Sequence, residues 1–227
     1  MIEMITRIVH TILQPLVRRL IAWKITPNQL TTFGLIVNVV AAVVLIIGGV
    51  AGERGDMQYL GWASALILFA GLFDILDGQV ARTGGGATAF GAVYDSVIDR
   101  YSELIMFLGI CYYLVSHGFL ISSLLAFIAM IGSVMVSYTR ARAEGVGISC
   151  KRGLMQRPVR IIVIGLSGLL CAASTTWTGG YVKVYIGGYF FPYAETIAFF
   201  AVPIGVVGLL SNITAIGRLL HCKRELS

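Results

Sequence analysis

Charged residues are scarce in this chain. Asp, Glu, Lys and Arg make up 12% of its 227 residues, which is about half the share usual in soluble domains. Hydrophobic residues make up 57%, and the mean hydropathy is +0.86. One soluble core of this size cannot bury so much apolar surface. The composition therefore excludes a soluble globular domain and predicts a polytopic membrane protein.

Cysteine and histidine are also few, and their positions exclude two kinds of site. The four cysteines show no paired spacing, and none of the three histidines has a second histidine or cysteine at ligand spacing. We therefore expect free thiols rather than disulfides, and no zinc site. The first residues lack a short apolar core followed by a small-residue cleavage site, so no cleavable signal peptide is expected.

Six apolar runs predict an all-α fold, a bundle of six transmembrane helices over residues 30–220 within one domain that covers residues 1–227. The expected spans are Leu30–Gly49, Tyr59–Arg82, Val93–Val115, Phe119–Thr139, Val159–Ser174 and Ala194–Ile216. Before them, residues 1–24 carry apolar side chains at three- and four-residue spacing. This spacing predicts an N-terminal amphipathic helix in the membrane interface. A helix packed against the bundle is the alternative.

Lysine and arginine concentrate on one side of the predicted bundle. They precede the first span and follow the second, fourth and sixth spans, whereas the opposite side holds only Arg54 and Lys183. The positive-inside rule then predicts an integral protein of the cytoplasmic membrane with both termini in the cytoplasm. The net charge of +6 suits anionic lipid headgroups rather than nucleic acid. The outer loop 177–193, rich in Tyr, Phe and Gly, is expected to form an interfacial aromatic belt.

Four of the five aspartates lie where two apolar runs approach the cytoplasmic side. Asp74 and Asp77 are three residues apart on the second span, and Asp95 and Asp99 are four residues apart on the third. Helical periodicity places each pair on one face. A short glycine-rich connector predicts that the two helices are antiparallel neighbours, which would bring the four carboxylates together. Ionisable groups at membrane depth indicate a functional site.

Converged carboxylates repel one another and therefore need cations beside them. A ligand set of hard oxygens favours Mg²⁺, with Mn²⁺ as a substitute, and two such ions suit an in-line displacement at phosphorus. On the same helical face, Gly78 leaves room for a phosphorylated ligand, and Arg82 offers a guanidinium to phosphate.

These residues fit the pattern D-x2-D-G-x2-A-R-x8-G-x3-D-x3-D, which resembles the signature of CDP-alcohol phosphotransferases. The matching positions are Asp74, Asp77, Gly78, Ala81, Arg82, Gly91, Asp95 and Asp99. The resemblance implies that Asp74, Asp77 and Asp95 bind one Mg²⁺ and that Asp95 and Asp99 bind a second. It also implies that Asp99 is the general base. The residues implied to contact the CDP-linked donor are Thr26, Pro27, Asn28, Gln29, Gly78, Arg82 and Thr88.

The family's reaction implies transfer of a phosphatidyl-type group from CDP-diacylglycerol, or from a CDP-diether lipid, to a polar alcohol, with release of CMP in phospholipid biosynthesis. The family also suggests a homodimer. Without the family, the turn at residues 26–29 indicates only the start of a helix.

The basic stretch Ser137–Glu144 and the later Gln156-Arg157-Pro158 are similar to phosphatidylinositol phosphate synthases. This similarity implies inositol 3-phosphate as the acceptor, bound through its phosphate by Arg140 and Arg157. Glycerol 3-phosphate, serine and free inositol remain alternative acceptors. A different class, a carboxylate-based ion transporter, also uses intramembrane acids, but it would more often show internal repeats and broken helices.

Overall fold

The computed structural model describes residues 13–150, 153, 155–178, 181–186 and 189–226, and it describes side chains in these ranges outside 181–194. The described part contains seven helices and one pair of strands. In chain order these are α1 (residues 13–22), α2 (Pro27–Ala51), α3 (Gln58–Thr83), α4 (Ala89–Ser116), α5 (Leu120–Gly145), α6 (Arg157–Thr178), β1 (Tyr181–Ile186), β2 (Tyr189–Glu195) and α7 (Ala198–Leu226). The first half of the predicted amphipathic helix lies outside the described residues.

The six long helices form a closed ring in which each packs mainly against two others. The order around the ring is α4, α2, α3, α6, α7, α5 and back to α4. The helices α3 and α4, which are described in full, make little direct contact with each other, because each packs on α2 instead. This arrangement corrects the prediction that the two aspartate-bearing helices are packed neighbours.

Of the six long helices, five are long and apolar enough to cross a membrane. The exception is α4, which has 28 residues but carries the charged side chains of Asp95, Asp99, Arg100 and Glu103. Large apolar side chains such as Leu124 stay exposed on the outer faces of the other helices. Exposed apolar helix faces of this kind suit a lipid environment, as expected for an integral membrane protein.

The helices do not end where the apolar runs predicted. The helix α5 continues beyond Thr139 to Gly145, so Arg140 and Arg142 lie on a helix rather than in a loop. The last helix begins at Ala198 and not at Ala194, because β2 pairs with β1 in an antiparallel hairpin. The predicted aromatic loop thus contains two strands, which corrects the all-α prediction for this segment.

Small residues allow the helices of the ring to approach closely. A Cβ atom added at Gly109 of α4 would lie 2.8 Å from the Cα atom of Ala42 on α2. A Cβ atom at Gly132 of α5 would lie 2.9 Å from the Cβ atom of Ser211 on α7. Contacts through small residues are usual between membrane helices, where backbones pack without a hydrophobic driving force.

The described part of α1 is amphipathic and packs one face against the bundle. Its Val17 and Leu20 are buried in a small core with Leu76 of α3. Arg18 and Trp23 are exposed. These contacts agree with the alternative of a helix packed against the bundle. That the opposite face of α1 lies in the membrane interface stays a prediction.

Candidate active site

Three of the four predicted aspartates meet at one end of the ring. Asp74 of α3 and Asp95 and Asp99 of α4 each offer a carboxylate oxygen, and these oxygens all lie within 4.8 Å of one another. Asp95 and Asp99 share a face because they are one helical turn apart. All three side chains are half-buried. Since α2 holds both helices, the carboxylates converge although the helices themselves do not pack together.

Asp77 lies beside this group and not within it. Positions three residues apart on a helix differ by about 60° around the axis, which turns Asp77 from Asp74 toward α2. Asp77 is 6% exposed, and its Oδ2 accepts a hydrogen bond of 2.7 Å from the Oγ1 of Thr31. It lines a cavity of about 140 Å³ together with Asp95. Sequence reasoning missed Thr31, which no spacing connects to the aspartates.

Arg157, in the first turn of α6, contacts two aspartates of the cluster. Its Nη1 donates to the Oδ1 of Asp74 and lies 2.6 Å from the Oδ1 of Asp99. Its Nε is buried and has no hydrogen-bond partner among the described residues. The side chain predicted to bind the acceptor phosphate therefore neutralises carboxylates that were predicted to bind metal.

A second ion pair lies one helical turn further into the ring. The Nε and Nη2 of Arg160 are 2.9 Å and 2.7 Å from the Oε1 of Glu103, and its Nη1 donates to the carbonyl of Met155 at 2.8 Å. The two side chains are only 1% and 4% exposed. This pair joins α4 to α6 and fixes the start of α6. Its sequence signal was available, since Glu103 and Arg160 follow Asp99 and Arg157 at helical spacing.

A cavity of about 600 Å³ opens beside the aspartate cluster. Asp95 and Asp99 lie in its wall, and the remaining charged lining is mainly basic. The arginines in this lining are Arg100, Arg140, Arg157, Arg160 and Arg218. Arg140 also forms an exposed ion pair of 2.8 Å with Glu144. A cavity with this charge suits an anion. It contains both arginines predicted from the sequence and three that were not predicted.

The residues predicted to contact the donor divide into two groups. Pro27, Asn28, Gly78 and Thr88 line the 140 Å³ cavity with Asp77 and Asp95. Thr26 and Gln29 instead form a capping box, in which the Thr26 N–H donates to Gln29 Oε1 at 2.8 Å and the Gln29 N–H donates to Thr26 Oγ1 at 3.4 Å. Such a box fixes the first turn of a helix. These two side chains hold the turn that carries Pro27 and Asn28.

Gly78 and Arg82 lie together on α3, as their spacing predicted. A Cβ atom at position 78 would lie 3.4 Å from both terminal guanidinium nitrogens of Arg82. The exposed arginine thus folds back over the glycine. Thr88 caps α4, where its Oγ1 accepts a hydrogen bond of 2.9 Å from the Gly91 N–H. Gly78 and Thr88 therefore line the same cavity from α3 and from the start of α4.

The cluster has the chemistry of a site for a hard cation. Asp74, Asp95 and Asp99 supply three carboxylate oxygens, and no thiolate or imidazole belongs to this group among the described residues. Oxygen ligands of this kind suit Mg²⁺ and Mn²⁺. The residues therefore fit a divalent metal ion.

Comparison with known proteins agrees with this chemistry. A family model described as CDP-alcohol phosphatidyltransferase matches residues 24–214. A phosphatidylinositol phosphate synthase of Mycobacteroides abscessus is 36% identical over 155 residues, which cover 67% of this chain and 66% of that protein. An archaetidylinositol phosphate synthase of Methanothermobacter thermautotrophicus is 43% identical over 107 residues, which cover 47% of this chain and 52% of that protein.

Solved structures of one relative have the same fold. The phosphatidylinositol phosphate synthase of Mycobacterium tuberculosis with CDP-DAG bound superposes with a TM-score of 0.71 and 27% identity, over 92% of both chains. The same protein in complex with manganese and citrate gives a TM-score of 0.69, over 92% of this chain and 87% of that one. The chain therefore belongs to the CDP-alcohol phosphatidyltransferase family.

Proposed function

We propose that this enzyme transfers a phosphatidyl-type group from a CDP-lipid to the hydroxyl of a phosphorylated polar alcohol and releases CMP. The observation that carries the proposal is the acidic cluster in the wall of an arginine-lined cavity, where Asp95 and Asp99 face Arg140 and Arg157. An acceptor with a hydroxyl and a phosphate needs a base for the hydroxyl and cationic side chains for the phosphate, and this cavity offers both. The relatives named phosphatidylinositol phosphate synthase and archaetidylinositol phosphate synthase favour inositol 3-phosphate as that acceptor.

For the donor we propose CDP-diacylglycerol. The bound CDP-DAG in the Mycobacterium tuberculosis relative supports this assignment. A CDP-diether lipid is the second candidate, because an archaetidylinositol phosphate synthase is among the similar proteins. In either case Pro27, Asn28, Gly78 and Thr88 would line the nucleotide end of the donor site. Arg82, folded over Gly78, would offer its charge to the leaving phosphate.

For the metal we propose two Mg²⁺ ions, with Mn²⁺ as a substitute. Asp74, Asp77 and Asp95 would hold one ion, and Asp95 and Asp99 the other. When bound, such ions neutralise the carboxylates and the pyrophosphate of the donor. The carboxylate geometry and the manganese complex of a relative support a divalent ion. The Thr31 hydrogen bond would keep the Asp77 carboxylate in place for its ion.

Asp99 would act as the general base. Its carboxylate takes the proton of the acceptor hydroxyl, whose oxygen attacks the β-phosphorus of the donor, and the bond from that phosphorus to the CMP oxygen breaks. The proton leaves Asp99 through the large cavity. Asp99 suits this task because it lies both in the carboxylate cluster and in the wall of that cavity.

The proposed reaction site lies at the cytoplasmic face of the cell membrane. We propose α4 as a sixth crossing helix, since its 28 residues suffice to span and its charges lie in the half that faces the site. Residues 1–24 would lie in the interface, and residues 1–227 would form one domain. The excess of lysine and arginine at this end supports cytoplasmic termini. Membership of the family also leads us to propose a homodimer.

The deciding experiment measures CMP release. The purified protein in lipid nanodiscs would receive CDP-diacylglycerol, Mg²⁺ and one of inositol 3-phosphate, inositol, glycerol 3-phosphate or serine. We expect release with inositol 3-phosphate and little with the others. Asp99→Asn should lose turnover and still bind the donor, whereas Asp56→Asn, at the one aspartate outside the site, should keep turnover.

Other outcomes would redirect the assignment. Release with unphosphorylated inositol alone would reject a phosphorylated acceptor while keeping the reaction. Release with none of the four acceptors would favour an ion transporter built on the same carboxylates.

A further inference from the structure

We propose that Arg157 is a switch between the two halves of the site. In this proposal Arg157 neutralises Asp74 and Asp99 until these residues bind a divalent cation, and it then turns into the large cavity to bind the phosphate of the acceptor. The inference rests on the proposed function. It adds an order of binding, because the acceptor site would be complete only after the cation has bound.

The starting position of Arg157 is the first observation. Its Nη1 contacts Asp74 Oδ1 and lies 2.6 Å from Asp99 Oδ1. These two residues supply two of the three oxygens that can hold a metal ion. A guanidinium and a divalent cation carry the same sign of charge and compete for the same oxygens. Asp74 and Asp99 therefore exchange one positive partner for the other.

The second observation is a second location within reach of the same side chain. Arg157 lines the 600 Å³ cavity together with Arg140 and Arg218. In its position on the aspartates, its Nε is buried without a hydrogen-bond partner among the described residues. A buried donor left unpaired is costly. The guanidinium is thus only partly satisfied by the aspartates, and a phosphate in the cavity would offer several acceptors to it.

The third observation limits the movement to the side chain. The α6 backbone is held at its start by Arg160, which bonds the Met155 carbonyl at 2.8 Å and the buried Glu103 at 2.7 Å. The helix that carries Arg157 cannot shift without breaking these contacts. Rotation about side-chain bonds is therefore the available route from the aspartates to the cavity.

Binding of labelled inorganic phosphate, without donor lipid, tests the switch in the purified full-length protein. We expect the Kd for phosphate to fall at least about tenfold when saturating Mg²⁺ replaces EDTA, within the range usual for coupled sites. Arg157→Gln should reduce this ratio to less than about threefold. The matched control is Arg140→Gln, because Arg140 lines the same cavity but pairs with Glu144 and not with an aspartate of the cluster. It should weaken phosphate binding in both media and keep the ratio.

A double variant provides a test that does not remove Arg157. Asp74→Asn with Asp99→Asn releases the guanidinium without any metal, so phosphate should bind in EDTA as tightly as it binds the unaltered protein in Mg²⁺. If Arg157→Gln keeps the full Mg²⁺ dependence, phosphate responds to the metal or to the net charge directly, and the switch is wrong.

Failure of the switch can be separated from failure of the proposed function. Electron paramagnetic resonance would measure Mn²⁺ binding, with Asp99→Asn as the comparison. If Mn²⁺ binds both proteins alike, the proposed metal site is wrong, and the function is rejected with it. If Mn²⁺ binding depends on Asp99 but phosphate affinity is the same with and without Mg²⁺, only the switch is rejected.

Discussion

Replacement of Glu103 by Gln is expected to destabilise the protein strongly. The substitution preserves the shape of the side chain and leaves Arg160, 1% exposed, without its counter-charge. Removal of one partner of a buried ion pair costs about 3–5 kcal/mol. The exposed pair of Arg54 and Glu195 provides the comparison, because its side chains are 57% and 34% exposed. Glu195→Gln should therefore cost at most about 1 kcal/mol.

Thermal unfolding in detergent measures the difference. For a chain of this size, about 2–4 °C of Tm corresponds to 1 kcal/mol, so Glu103→Gln should lower the Tm by about 6–20 °C. Glu195→Gln should lower it by less than about 4 °C. A thiol-reactive fluorophore would follow unfolding through the buried Cys150 and Cys171, which are 1% and 0% exposed, as an increase above the signal from the partly exposed Cys111 and Cys222.

Replacement of both partners checks the origin of the effect. Glu103→Leu with Arg160→Met removes both charges and leaves apolar side chains of similar size. This double variant should recover most of the lost Tm, because apolar substitutes for a buried ion pair are often neutral or stabilising. Equal Tm losses from Glu103→Gln and Glu195→Gln would refute the reasoning, since Arg160 would then have its charge compensated in some other way.

Three further perturbations test the packing and the site. Gly109→Leu should lower the Tm, because its Cβ would lie 2.8 Å from Ala42 Cα and overpacking typically costs about 1–3 kcal/mol, whereas Gly217→Leu should not, because a Cβ there meets no atom of another described element within 4 Å. Thr31→Val removes the hydrogen bond to Asp77 and should weaken Mn²⁺ binding about 10–100-fold in a paramagnetic resonance titration. Unchanged Mn²⁺ affinity would show that Thr31 does not position Asp77 for the ion. Dialysis against EDTA should abolish CMP release, and Mg²⁺ or Mn²⁺ should restore it; turnover that survives EDTA would contradict a metal-dependent reaction.

The sequence predicts the aspartate cluster well because its information is local. Four-residue spacing places Asp95 and Asp99 on one face of any helix, whatever surrounds it. The separation of Asp77 from the group depends on α2, which packs on both α3 and α4. Nothing in the spacing of α3 and α4 reveals that a third helix holds them apart. Periodicity predicts which residues share a helix face, but tertiary packing determines which helix that face contacts.

The ion pairs depend on contacts that are distant along the chain. Arg157 and Asp74 are 83 residues apart, and Arg160 and Glu103 are 57 residues apart. The basic stretch before α6 predicts positive charge at this end of the bundle. It does not predict which arginine contacts carboxylates and which stays open to an anion. That choice follows from the closed ring, which turns α6 toward α4 across the interior.

Two local features, the strand β1 and the capping box at the start of α2, have recognisable patterns in the sequence. The run Tyr-Val-Lys-Val-Tyr-Ile of β1 has a β-branched residue at every second position, as is typical of a strand. Its place in a segment rich in Tyr, Phe and Gly favoured the interpretation as an aromatic loop. Thr26 and Gln29 likewise fit the spacing of a capping box, and the hydrogen bonds of that box are present.

Biosynthesis must pass through a stage at which the acidic side chains lack their basic partner. Asp74 leaves the ribosome 83 residues before Arg157, and α3 and α4 can already associate with α2 at that point. Only the arrival of α6, followed by α7, closes the ring and supplies the guanidinium. A nascent chain interrupted after α5 would lack the guanidinium that contacts Asp74 and Asp99 in the finished ring. The interior ion pairs of Arg157 and Arg160 therefore form only after α6 has been synthesised.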